Sequence, residues 1–576
     1  MRFVTNSCLS FFSLLLLCFN LNGENSKPEL NQTDSVFVSL NLQNKEILLD
    51  EIIVLENKSQ KTKTTRSENI EVISSSFLEE NIAGNISNTL EKIPGIQSAN
   101  ISPSMARPLI RGFGGYRIVI AKNGQKQEDQ SWNNHQGVAI NQSSIEEIEI
   151  IKGPASLYYG SDAIGGVINI STLSVPDSFG LSGVVGLKAE TNNDLLGMNV
   201  KIGLREKLFF FNTDVSYQDF ADFRVPADSF EYKPNHFAKL DKSMHNTAGK
   251  ELSFNMQAGL ANNGLISYLL FSYFDNKSGF FPYAAGQELV NAYWETHSVS
   301  NRDILLPNSQ LKDTEVQYVL NKYFKNSKLS SAFGFQQNIS KEYDILKDIT
   351  GNRQDDILEY YDTNLDLGYN LKTISGRINY TYDSQESYSV VIGLNGQSQK
   401  NDISGYSHLI PEYKRSMVGL FSEFRYKINQ KFAGQLGVRF DYGNISITES
   451  INPDPAIGDS ILNPQIDNLY PAIVYAAGLI CNPGKSFLAK LHIGKSYRMP
   501  AAYELASYGI HRHNLRFEKG SCNLNPEEAY QADFVFEYSH KKIQIALYPF
   551  LNYFTNYIYL APTPEFSLWY FYRPDL

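Results

Sequence analysis

Three histidines carry the most specific chemistry in this chain. "YGIHRHNLRFEKG" sets His511 and His513 two residues apart, so an extended strand would turn both imidazoles to one face. A second segment, "QKQEDQSWNNHQG" (Gln125–Gly137), places Glu128, Asp129, Trp132 and His135 between two strand-like runs. Imidazole nitrogen suits zinc and iron, and Asp129 or Glu128 could complete a mixed nitrogen–oxygen shell around a metal at His135, His511 and His513. A bare ion needs three or four such donors within about 2.0–2.2 Å. An organic iron chelate would instead rest on Trp132 and the tyrosines of loops. No Ser-His-Asp set or carboxylate pair stands out, so the expectation is a binding protein and not an enzyme.

What could bring such distant residues together? Composition sets the bounds. Aromatic residues make up 13%, with 35 Tyr and 35 Phe against 3 Trp, and the net charge is −10. That acidity argues against nucleic-acid binding. One apolar run, "CLSFFSLLLLCF" (Cys8–Phe19), follows Arg2 and is too short for a membrane-spanning helix. It reads as the core of a signal peptide over residues 1–23. Cys481 and Cys522 would then remain, too few for a disulfide scaffold, and no spacing resembles a zinc finger.

From Leu181 onward the chain alternates. "FAGQLGVRFDY" sets Phe432, Leu436, Val438, Phe440 and Tyr442 against Gln435, Arg439 and Asp441. "LFFFNTDVSY" and "VGLFSEFRYK" do the same, which makes them strands. About sixteen such strands are joined alternately by short and long segments, with aromatic residues at strand ends. Short links fall near Arg205 and at 261–264, 324–327, 383–387, 428–431, 482–485 and 539–542. Long ones cover roughly 218–249, 276–313, 340–373, 397–413, 443–468 and 496–527. Keeping all long connections on one side is the habit of a transmembrane barrel, not of a sandwich. Every histidine except His492 and His540 falls on the long-loop side.

Residues 59–175 break the pattern. "SSSFLEENIAGNISNTLEKIPGI" carries Phe77, Ile82, Ile86 and Leu90 at helical spacing and stops at Pro94-Gly95, while "RIVIAKNG" and "IEEIEII" are short strands. This is a small α+β domain ahead of a large barrel. "LDEIIVLEN", "TLEKIPGI", "RPLIRGFGGYRIVI" and "EIIKGPASLYYGSDAIGGVINI", in that order, resemble the TonB-dependent outer-membrane receptors. The resemblance implies an N-terminal α+β plug inside an all-β transmembrane antiparallel β-barrel of about 22 strands. It implies an integral protein of the bacterial outer membrane that takes up a small nutrient. An energy-transducing TonB-type complex of the inner membrane would pull on a TonB box, here Asp50, Glu51, Ile52, Ile53 and Val54. The extended Ile52–Val54 run could add as a strand to that partner.

The same resemblance makes Arg111, Gly112, Lys152, Gly153, Pro154, Gly160, Asp162, Gly165 and Gly166 structural residues of the plug, with Lys152 and Asp162 in polar contact with the wall. It places Glu128, Asp129, Trp132 and His135 in a plug loop that touches ligand. No resident cofactor is implied; a metal or metal complex (iron–siderophore, haem or zinc) would be cargo. The expected division is signal peptide 1–23, N-terminal segment with TonB box 24–58, plug 59–175 and barrel 176–576. Because "SLWYFYRPDL" ends at about the sixteenth strand of a family expected to close with about 22, the chain reads as cut short at its C-terminus. The competing readings are a surface adhesin, an oligosaccharide or peptide receptor on the same scaffold, or a non-functional fragment.

Overall fold

The structure, a computed structural model, describes residues 35–43, 63–102, 105–130, 137–176, 178–233, 236–239, 242–281, 299–344, 364–384, 387–405, 407, 409–451, 461–484, 486–511, 516–540 and 542–563. Alternation does what the sequence implied, with the usual burial inverted. On strand Phe432–Ile447, Leu436 is 62% exposed and Phe440 54%, whereas Arg439 is 0% and Asp441 4% exposed. Apolar residues face outward and charged ones inward along most wall strands, and only a surround of lipid makes that arrangement favourable.

Among the described residues the wall is a barrel sheet of seventeen antiparallel strand segments, and because Ile543–Leu547 and Phe550–Phe554 both pair with Glu527–His540 they fill sixteen strand positions. Each short link foreseen in the sequence is a hairpin turn, from Arg205/Phe210 to His540/Ile543. The long links carry their own small pieces, including the hairpin Tyr508–His511/Arg516–Lys519 and the helix Ala502–Ala506. Two details differ from expectation. The first connection on the long-loop side, residues 191–194, is a tight turn. One wall strand, Ser35–Gln43, comes from ahead of the inner domain and pairs with Gly180–Glu190. Near the short-turn rim the rings of Tyr382, Tyr388, Phe424 and Tyr426 follow one another at 5.9–6.3 Å, an aromatic band where lipid meets water. Cys481 and Cys522 are unbonded.

The inner domain is built from β1 (Asn69–Ser74), α1 (Ser75–Glu80), α2 (Ile86–Leu90), β2 (Ile96–Ser102), β3 (Met105–Ile110), β4 (Ile118–Lys122), β5 (Gln125–Lys126), β6 (Glu147–Lys152), α3 (Ser156–Tyr159) and β7 (Gly166–Ser171). Its sheet runs β1-β6-β7-β4-β5, with β4 and β7 parallel. Ile73, Leu78, Ile86, Leu90, Ile148 and Ile168 share the core. The single helical run read over Phe77–Leu90 is two helices. Asn85 caps the second by accepting from the Asn88 N–H, and Gly84 precedes it, so the backbone turns there instead of continuing. Inward-facing residues from strands across the wall contact this domain, which therefore fills the lumen.

Candidate functional site

The glycine-rich connection from β6 to β7 forms a surface fitted to the wall. At Gly153 (φ +98°) a Cβ would stand 2.8 Å from Cγ of Asp533, inside its carboxylate. At Gly160 (φ +75°) it would lie 2.8 Å from Nη2 of Arg439. Gly165 and Gly166 face the inner domain itself, where a Cβ would meet Phe113 and the Ile151 carbonyl. Positive φ and close approach thus coincide at Gly153, Gly160 and Gly166, while at Gly165 close approach alone excludes larger residues.

Charges cross the seam beside these glycines. Asp162 accepts from Lys126 Nζ at 2.5 Å and from wall residue Arg415 Nη2 at 3.2 Å, while the Met499 N–H donates to Ser161 Oγ at 3.1 Å. Burial would raise the Asp162 pKa, but Arg415 and then Lys126 hold it well below the usual carboxylate range. Arg111 pairs with Asp533 and lies 4.2 Å from the centre of the Phe550 ring. Arg117 donates to Glu527 at 2.9–3.0 Å, and Glu527 also accepts from Arg498 at 2.7 Å. Lys152 departs from expectation. Its ammonium donates within the inner domain, to Glu71 at 2.5 Å and the Pro94 carbonyl at 2.8 Å, and meets the wall through the Tyr548 ring, 5.8 Å from the ring centre. Burial lowers its pKa, opposed by Glu71.

A second fastening holds the start of the inner domain. Ser67 Oγ is 2.7 Å from Nδ1 of His492, the Ser67 N–H donates to Gln435 at 3.1 Å, and Lys490 donates to the Glu68 carbonyl at 3.0 Å. The wall makes room with Gly478, where any Cβ would overlap the Ser67 side chain.

Of the proposed ligand contacts, Glu128 pairs with Lys126 at 2.9 Å and Asp129 with Arg107 at 3.0 Å. A ligand reaching either carboxylate must displace a cation. Trp132, His135, His513 and the box Asp50–Val54 lie outside the described residues. His511 ends the strand Tyr508–His511 in a long-side hairpin, opposite Arg516. Sequence reading missed Arg117, Arg415, His492 and Glu527. For Arg415, His492 and Glu527 the signal was a polar or charged residue on the inward face of an alternating strand; Arg117 sits in the Gly115–Arg117 turn of the inner domain, where alternation gives none.

Comparison with known proteins fits this geometry. Residues 62–167 match the family described as TonB-dependent Receptor Plug Domain, and residues 253–574 match TonB dependent receptor-like, beta-barrel. The chain belongs to the TonB-dependent receptor family. It is an outer-membrane barrel of that family, with the plug in its lumen. A vitamin B12 transporter of Vibrio vulnificus is 35% identical over 137 residues, 23% of this chain and 22% of that protein. Heme/hemopexin utilization protein C of Haemophilus influenzae is 35% identical over 136 residues, 23% and 17% of the two chains. The matched stretch thus spans less than a quarter of these relatives. Among solved structures, the hemophore receptor of Serratia marcescens, in complex with its hemophore and heme, has a TM-score of 0.65 at 14% identity, covering 87% of this chain and 75% of that one. The ferric enterobactin receptor of Pseudomonas aeruginosa gives 0.63 at 13%, covering 86% and 72%. These likenesses are of fold.

Proposed function

We propose that this protein takes up a metal complex across the outer membrane, drawn by an inner-membrane partner that grips Asp50–Val54. The observation that carries the reading is the character of the seam. Asp162–Arg415, Arg117–Glu527, Arg111–Asp533 and Ser67–His492 are buried polar contacts. Such contacts fix one register at little net stability, because desolvation offsets most of the attraction. When a polar seam parts, water can solvate both faces, which suits a plug that must move and return. Matched proteins whose names include heme and ferric enterobactin support a metal-bearing cargo. On this reading His135, His511, His513 and Trp132 meet the cargo at the outer side. The test is growth of a strain lacking the gene under iron limitation and, separately, zinc limitation. A defect in one condition, restored by the wild-type gene, identifies the cargo's metal. Growth equal to the parent in both overturns the metal assignment.

A further inference from the structure

The seam also holds a cavity of about 120 Å³, between the plug and wall strands Leu365–Asp383, Tyr388–Ser404 and Tyr413–Lys427. Gln125, Tyr159, Arg377, Asn379 and Gln397 line it. It lies toward the short-turn rim, since Arg377 is near the end of its strand that leads to the turn before Tyr388.

Its charge balance is unusual for this seam. Lys126 and Arg66 also border the cavity, and both are neutralised, Lys126 by Asp162 and Glu128 and Arg66 by Glu68. Arg377 has no carboxylate at ion-pair distance among the described residues. Among the described residues its electrostatic neighbours include the phenols of Tyr159 and Tyr268, and its one hydrogen bond is from Nη1 to the Gly124 carbonyl at 2.5 Å. A second wall cation, Lys328, is close enough to repel it and stands 4.9 Å from the centre of the Tyr323 ring. Two amide nitrogens are buried without an acceptor, Nε2 of Gln125 and Nε2 of Gln397. Oδ1 of Asn379 lacks a donor, and turning that amide over presents a further N–H₂ in its place. Gly124 (φ +78°) lets the guanidinium lie against the turn, since a Cβ there would stand 2.6 Å from Nη1.

A planar guanidinium with spare N–H groups and amide donors lacking acceptors is the complement of an oxyanion. We infer that this cavity binds a small oxyanion group, a carboxylate or a phosphate. The group arrives either on departing cargo or as free inorganic phosphate. The assignment is independent of which cargo the receptor carries, because it rests on residues of the plug and of the wall strands toward the short-turn rim.

The test is calorimetric titration of the purified full-length protein in detergent with inorganic phosphate and, separately, acetate. Sodium chloride at matched ionic strength serves as control. Saturable binding in the millimolar range or tighter is expected for at least one oxyanion. Phosphate alone points to the free ion, and acetate binding points to a carboxylate on cargo. Arg377→Gln should weaken binding about tenfold or more, Gln397→Leu should weaken it less, and Arg377→Lys should retain part of it. Heat-modifiable migration on a gel establishes that each variant is folded. No saturable signal in the wild type, or unchanged affinity in folded Arg377→Gln and Gln397→Leu, overturns the assignment.

Discussion

Gly153→Ala and Gly112→Ala separate backbone strain from fit against the wall. Both glycines have positive φ, +98° and +83°, so either alanine strains the backbone by about 1–3 kcal/mol. At Gly112 nothing lies within 4 Å of the new Cβ, and strain is the whole cost. At Gly153 the Cβ occupies the space of the Asp533 carboxylate, which must withdraw from Arg111. Removing the partner of a buried charge costs about 3–5 kcal/mol, so Gly153→Ala should loosen the plug by about 3 kcal/mol more than its control. The assay is urea titration of the protein in lipid vesicles, with plug release followed by trypsin cleavage within residues 63–130. At a slope of about 1.5 kcal/mol per molar urea, the release midpoint should fall about 2 M below that of Gly112→Ala. Equal midpoints for the two variants would refute the claim that this glycine is required by the wall.

Other outcomes follow from the same contacts. Asp162 has a folded pKa below its unfolded value, so its contribution is full above about pH 4 and is lost as pH falls from there through the folded pKa. Plug retention should therefore weaken on acidification below about pH 4, and Asp162→Asn should blunt that acid dependence while loosening the plug at pH 7; an unchanged acid profile counts against the pair with Arg415. Ile53→Pro should abolish uptake and leave ligand binding intact, because proline removes a backbone donor needed for strand addition. Uptake at the wild-type rate would remove the TonB-box assignment. Replacing His511 and His513 together by alanine should weaken binding of the metal complex at least tenfold, about 1.4 kcal/mol. Unchanged affinity for zinc and iron complexes alike would point to a cargo recognised without these imidazoles.

Local signals were legible and distant ones were not. Period-two alternation put Leu436 and Arg439 on opposite faces correctly, because strand geometry dictates that from neighbouring residues alone. Turn positions were equally clear. Gly153 and Gly160 stood out as unusual, yet what each makes room for, Asp533 and Arg439, lies hundreds of residues away, and alternation names a face without naming a partner. Lys152 shows the same gap. Nothing around it in the chain distinguishes an ammonium aimed at the wall from one folded back on Glu71. The split between α1 and α2 was written locally in Gly84-Asn85, but apolar spacing continued across it and concealed the break.

The order of fastenings along the chain bears on how a pulled plug would part. Under the proposed function, force enters upstream of residue 63 and meets Lys63, paired with wall residue Glu537 at 3.0 Å, and then Ser67, where His492 and Gln435 hold it. Directly after it comes β1, an edge strand paired only with β6. Stripping an edge strand withdraws Ile73 from the core but leaves the ladders β6–β7, β7–β4 and β4–β5 intact, with Ile148 and Ile168 still held in them. A central strand in that position would have to tear two ladders at once. The Arg111, Arg117 and Asp162 contacts lie beyond this point in the chain and stay loaded only through the remaining sheet. The topology therefore favours local release beginning at residues 63–67 and β1 over ejection of the plug as a rigid body, with the Lys63–Glu537 and Ser67–His492 contacts as the first barriers.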